Sequence, residues 1–447
     1  VWLESVPDKF IASLDVAADM NGQVAVTVHS WTKDATPVEI SVASPRGDVV
    51  AQEQHVSDQA FTFTVPSPGL WSPDSPTLYN ITVRMGDDEV QSYTGFRTIS
   101  MGDVNGVKRP LLNGEFVFIF GPLDQGYWPD GIYTPPTKEA MVYDLEVIKD
   151  LGMNMVRKHI KIEPDLFYEA CDHMGLLVVQ DMPSMRVDGN ARPTDAEQKE
   201  FERQLEVMVN EHKSYPSIAA WVIYNEGWGQ ITDYHPEFAI AERIRELDPT
   251  RLIDAVSGWH DHGAGDFSVV FLRLTTPTDT KCFAGQPQVC RAPVRDAVVL
   301  TGFVSIRPQP HWLPGRVWRH RPPSGRREVR ALLTSPTHCQ SLFLSKAKSN
   351  LLAHSLWPIQ AAVDSINDTY EIHSGLESYH YRAHFLLNQL REQVEKYACS
   401  GAVYTQTTDV EGEVNGLLTY DRRVIRVDVD QWREDIAALY ETARSRT

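Results

Sequence analysis

The chain has 447 residues and a mass of 50.5 kDa, more than one hydrophobic core accommodates, so two or three domains are expected. With 42% apolar, 10% aromatic and 23% charged residues it is not a disordered chain, a collagen or a disulfide-stapled mini-protein, and no run approaches the roughly 20 apolar residues of a membrane span. A net charge of −18 argues against a nucleic-acid partner over most of the surface, and the five cysteines show neither zinc nor disulfide spacing.

Residues 7–99 alternate as strands do. Phe10-Ile-Ala-Ser-Leu-Asp-Val, Val24-Ala-Val-Thr-Val, Val38-Glu-Ile-Ser-Val, Phe61-Thr-Phe-Thr-Val and Leu78-Tyr-Asn-Ile-Thr-Val are rich in β-branched and aromatic residues. Turn clusters such as Asn21-Gly22 and Pro45-Arg-Gly-Asp48 separate them. Six or seven short strands over 1–99 fit an immunoglobulin-like β-sandwich, with a small barrel as the alternative.

From about Leu111 the rhythm changes to strand, helix, strand, helix. Helices are expected over 137–151, from Pro164 to Gly175, and over about 195–213 and 236–247. The strands between them are Met153–Arg157, Leu176–Asp181, Ser217–Glu226 and Leu252–Val256. Helices at about 376–398 and 430–444 flank a further strand, Gly401–Gln406. Apolar strands alternating with amphipathic helices predict a (β/α)8 TIM barrel over 100–447. Arg157, Asp181, Asn225 and Glu226 fall at the C-terminal ends of successive strands, where such a barrel keeps its active site. Glu226 stands out on chemistry alone. A carboxyl at the rim of an apolar barrel, beside Asn225 and followed by Gly227-Trp228-Gly229, suits a general acid; the alternative is a Glu satisfied by an Arg across the mouth.

The chain resembles glycoside hydrolase family 2, the β-galactosidase, β-glucuronidase and β-mannosidase group. The similar stretches are Leu70-Trp-Ser-Pro-Asp-Ser-Pro-Thr-Leu-Tyr79, Gly95-Phe-Arg97, Leu112-Asn-Gly114, Asn154-Met-Val-Arg157, Tyr215-Pro-Ser-Ile-Ala-Ala-Trp221 leading to Asn225-Glu226, and Thr407–Asp421. The resemblance implies a retaining exo-β-glycosidase, β-galactosidase-like in preference to its cousins. Glu226 would be the general acid/base, Asn225 would contact the sugar 2-hydroxyl, and Arg157 would orient the nucleophile. Asp181 would bind sugar or serve structure, and His260 and His262 would reach substrate hydroxyls. Asp409, Glu411, Glu413 and Asn415 read as polar groups of the barrel mouth. A β-glycoside is the expected partner, with no cofactor and no metal: His260 and His262 form an i, i+2 pair for which the sequence shows no third ligand. The family also implies a preceding sugar-binding domain, with Val1-Trp-Leu-Glu-Ser-Val-Pro resembling the hinge after it; the absence of a visible leader favours the cytoplasm.

The resemblance breaks at 268–355. This window holds 13 basic and three acidic residues, a net +10 that leaves −28 for the rest, together with three of the five cysteines. The sixth and seventh barrel strands and the nucleophilic Glu are expected here. The one Glu present, Glu328 in Arg326-Arg-Glu-Val-Arg330, is a poor fit to a buried parallel strand. Two readings compete: a basic insertion, or a segment translated in a shifted frame. The pattern stops abruptly after Phe267 and returns near Leu356, which favours the second and predicts an incomplete barrel, a poorly packed window and impaired catalysis.

Overall fold

The computed structural model describes residues 5–185, 192–258, 260–267, 376–411 and 413–446. The expectations for 268–355, including Glu328 and the sixth and seventh strands, lie outside these residues.

The first unit is a sandwich of two antiparallel sheets. One contains β1 (Ile11–Ala18), β2 (Gln23–Ser30) and, in chain order after β3 (Pro37–Ala43) and β4 (Val49–Val56), the short β5 (Phe61–Thr64). After the small hairpin β6 (Trp71–Ser72) and β7 (Ser75–Pro76) come β8 (Tyr79–Met85) and β9 (Asp88–Thr94). These complete the second sheet in the order β4-β3-β8-β9. Because successive side chains point to opposite faces, Val24, Val26 and Val28 meet Val38, Ile40, Val42, Ile81 and Val83 in one buried layer.

A three-stranded antiparallel sheet, β10 (Ile99–Val104), β11 (Val107–Leu112) and β12 (Glu115–Phe116), leads to the barrel. There β13 (Ile119–Asp124), β14 (Met155–Lys158), β15 (Leu177–Asp181), β16 (Ile218–Asn225) and β17 (Leu252–Ser257) pair in parallel, and β18 (Gly401–Thr405) pairs with β13. The last described strand bonding to the first is the strand order of a TIM barrel, and the described sheet comprises six of its strands. Helices α1 (Lys138–Asp150), α2 (Asp165–Met174), α3 (Asp195–His212), α4 (Glu237–Leu247), α5 (Leu376–Tyr397) and α6 (Val429–Ser445) cover the sheet.

Local chemistry explains the boundaries. Thr137 caps α1 by accepting from the Ala140 N–H, and Thr194 with Glu197 forms a capping box at α3. Gly175 ends α2 at φ 72°, and a Cβ there would lie 2.5 Å from the Pro73 carbonyl oxygen of the sandwich unit. Gly121 in β13 lets Met155 approach so closely that a Cβ would sit 1.6 Å from its oxygen.

The sheet buries both faces. Outward residues such as Val156, Val178, Trp221 and Ile253 pack under the helices, while Met155, Val179, Ala220, Val222, Leu252 and Val403 fill the interior together with Trp71 and Ile99 from the preceding units. The interior is therefore plugged with apolar side chains, and polar groups collect at the strand ends.

Candidate active site

Parallel register decides which side chains meet. Asn225 is opposite Ser257, and Arg157 is opposite both Leu123 and Val179, so the ends of β14 to β17 bring Arg157, Asp181, Asn225 and Ser257 together. Arg157 is buried and donates from Nε to Asp181 Oδ1 and from Nη2 to Asp181 Oδ2, both at 2.9 Å. The same Nη2 lies 2.9 Å from Asn225 Oδ1 and from Ser257 Oγ. Burial works against the Arg157 cation, but Asp181, Asp254 and Glu226 around it hold its pKa above the ordinary value.

This network fixes the Asn225 amide. Its Oδ1 accepts from Arg157 and, at 3.3 Å, from Ser257 Oγ, whereas its buried Nδ2 has no hydrogen-bond partner among the described residues. Glu226 follows at once, half-buried, with its N–H donating to the Ser257 carbonyl at 2.8 Å. Its backbone is left-handed at φ 52° and Gly227 continues at φ 73°, so the chain turns sharply out of β16 just where the carboxyl is presented. Trp228 is 45% exposed, and its ring stands edge-on to His159 with centroids 6.5 Å apart.

The structure places the other expected residues as follows. Asp181 is fully buried with both oxygens on Arg157, an arrangement that orients the guanidinium. His260 lies beside Gly227, and its carbonyl accepts from Gln230 Nε2 at 3.3 Å. His262 is turned away from this group, toward Glu237 at 2.6 Å. The Asp409 carboxylate is paired with Arg426 and also accepts the Gly416 N–H, so it braces the loop after β18. Glu413 and Asn415 are bonded to each other at 3.2 Å, and both Gln125 and Gln406 bind into that pair.

Three groups were not singled out by sequence. Asp254 is a lone acid within the apolar run Leu252-Ile-Asp-Ala-Val256, a signal available in the sequence. It is fully buried, and neither oxygen has a hydrogen-bond partner among the described residues. Burial pushes its carboxyl well above the usual carboxylate range, against the pull of Arg157. His159, just past β14, has a buried Nδ1; burial lowers its pKa to about 4 with help from Arg157, so it is neutral at physiological pH. Lys158 is buried between Asp124, 2.8 Å away, and Glu163, and this ion group anchors the loops after β13 and β14.

Fold and site together define an antiparallel sandwich followed by a TIM-barrel domain, with a polar cluster at the C-terminal strand ends, where such barrels keep their active sites. Comparison narrows this. The model described as glycosyl hydrolases family 2 matches residues 6–97, and that of the family 2 TIM barrel domain matches residues 136–279. The chain belongs to glycoside hydrolase family 2. It is 29% identical over 269 residues to a β-galactosidase of Psychromonas ingrahamii, covering 56% of this chain and 25% of that protein. It is 30% identical over 234 residues to a putative β-glucuronidase of Formosa agariphila, covering 49% of this chain and 21% of that one. Among solved structures, the β-glucuronidase from Ruminococcus gnavus in complex with D-glucaro 1,5-lactone superposes with a TM-score of 0.66 at 16% identity, covering 96% of this chain and 68% of the other. The chain thus spans a quarter or less of the length of these two curated relatives.

Proposed function

We propose that this chain carries the acid/base half of a retaining β-glycosidase site, with β-galactosides as the favoured substrate class. Glu226 acts as general acid on the glycosidic oxygen and then as general base on the incoming water. A second carboxylate attacks the anomeric carbon in between. The observation that supports this best is the orphaned Nδ2 of Asn225. A buried donor without a partner is costly, and a substrate hydroxyl beside Glu226 would satisfy it. Arg157 holds the amide in the orientation that leaves this donor available, and Trp228 offers an apolar ring at the mouth.

Among the described residues no nucleophile is assigned. Asp181 is committed to Arg157, Asp409 is committed to Arg426, and Asp254 is fully buried, which disfavours its carboxylate form. Glu328 lies outside the described residues. Because the sequence of 268–355 offers Glu328 as its one Glu where the nucleophile is expected, and in a poor context, we expect the chain to turn over slowly, since loss of a nucleophile costs several orders of magnitude. Hydrolysis of an aryl β-galactoside should run far below the roughly 10 s⁻¹ typical of enzymes and fall further in Glu226→Gln. Ordinary turnover by the unmodified chain would overturn the impairment, and turnover indifferent to Glu226→Gln would overturn the role of Glu226. Sugar binding without hydrolysis of any aryl β-glycoside would make the chain a carbohydrate-binding relative instead.

A further inference from the structure

The loop between β16 and α4 and the loop after β17 meet a second time, away from the Arg157 cluster. His262 Nδ1 lies 2.6 Å from Glu237 Oε1, His235 Nδ1 lies 3.3 Å from the same oxygen, and the two Nδ1 atoms are 3.2 Å apart. Glu237 is fully buried at the first position of α4. Its described ion-pair partners are these two histidines, and its Oε2 is buried with no hydrogen-bond partner among the described residues. A buried carboxylate without a strong countercharge is expensive. Two imidazole nitrogens and a carboxylate converging on one point are also an awkward hydrogen-bonded set. Each Nδ1 can serve the shared oxygen only as a donor, which brings two N–H groups face to face at 3.2 Å.

A cation resolves both problems. Metal–nitrogen and metal–oxygen bonds of zinc length, arranged tetrahedrally, put ligand atoms about 3.3 Å apart. Two of the three edges here already have that length. We infer that His235, Glu237 and His262 form a binding site for a divalent transition-metal ion of the zinc class, with a fourth position left to solvent. Two neutral imidazoles and a carboxylate are a preferred donor set for such ions and a poor one for calcium or magnesium. His235 and His262 have side chains 42% and 32% exposed, so an ion reaches them without unfolding the barrel. The bound ion would clamp the segment that begins with Glu226 to the loop that carries His260. It would thus act as a structural staple on the acid/base loop. The site takes no part in the proposed glycosidic chemistry, and its test stands whether or not the chain turns over sugar.

The chain, stripped by a chelator and dialysed, should bind one equivalent of Co²⁺. The visible spectrum should be that of a tetrahedral nitrogen–oxygen site, without the thiolate charge-transfer bands that its cysteines would give. Zn²⁺ should displace the cobalt and raise the melting temperature. His262→Ala and His235→Ala, both at partly exposed positions, should retain the wild-type circular dichroism. Each should weaken Zn²⁺ binding by more than about 100-fold, since even an indirect support of a ligand is worth 10–100-fold. Binding that persists in the His235→Ala/His262→Ala double variant, thiolate bands, or no Co²⁺ and Zn²⁺ uptake by the folded wild type would each overturn the assignment.

Discussion

Arg157 holds the site through geometry more than through charge. Two parallel N–H···O bonds lock its plane against Asp181, and the remaining contacts of Nη2 then set Asn225 and Ser257. Arg157→Met leaves Asp181 as a buried, unpaired carboxylate and should cost about 3–5 kcal/mol in urea unfolding, whereas Arg157→Met/Asp181→Asn together should cost clearly less than the single change. His159 gives a pH signature at the same place. Its folded pKa of about 4 is below the ordinary 6.5, so its contribution is complete above pH 6.5 and is lost as pH falls toward 4. Relative to the wild type, His159→Gln should gain stability across that window, read as melting temperature at pH 4.5 and 7.5. Glu226, left-handed at φ 52°, carries a conformational cost that Gly does not, so Glu226→Gly should relieve that backbone cost while losing any acid/base function.

Elements with chemical punctuation were legible in the sequence. All six described helices run within a residue or two of the expected spans, because Thr137, Pro164 and Gly175 mark their ends and apolar spacing marks their faces. Strands Val49–Val56 and Ile119–Asp124 were not picked out. The first is half exposed and polar, and the second is interrupted by Gly121-Pro122. Arg157, Asp181 and Asn225 were legible because strand ends converge in a barrel. His235 and Glu237 were not, since their meeting with His262 depends on how two loops fold back after paired strands. The seam between α2 and the sandwich shows how a buried acid acts at this scale. Asp172 accepts from Tyr93 O–H at 2.8 Å and from the Ser217 N–H at 2.7 Å, and burial raises its pKa to about 7 despite those bonds. Between the usual carboxylate range and pH 7 the folded chain keeps a proton that the unfolded chain has lost, so this group's contribution declines as pH rises through that window. Asp172→Asn should remove the decline: the melting temperature of the wild type, taken relative to the variant, should fall from pH 5 to pH 8.

At the scale of the molecule, sandwich and barrel are joined by side chains that cross between them rather than by a linker alone. Trp71 is fully buried among the barrel-interior residues and donates from Nε1 to the Asp172 carbonyl at 2.8 Å. Arg97 goes further. Its guanidinium donates to the carbonyls of Pro216 at 2.9 Å, Thr250 at 3.0 Å and Ile218 at 2.9 Å, the segments that enter β16 and β17. Burial lowers its pKa well below the ordinary value, with the nearby Arg251 adding to the effect, yet three carbonyl dipoles receive it, and no carboxylate among the described residues bonds to it directly. The strands that end at Asn225 and Ser257 are thus gripped from below by a residue of the preceding unit. Hydrogen bonds to a charged donor are worth about 1.5–3 kcal/mol each, so the set is large enough to couple two units that would otherwise unfold separately. Arg97→Ala should split the calorimetric transition in two, with the barrel melting first and the sandwich near its original temperature. A conservative Arg97→Lys, which reaches fewer of the three carbonyls, should give an intermediate broadening. A single sharp transition in Arg97→Ala, displaced by less than a degree, would mean that the Trp71 contact and the apolar seam suffice to hold the two units together.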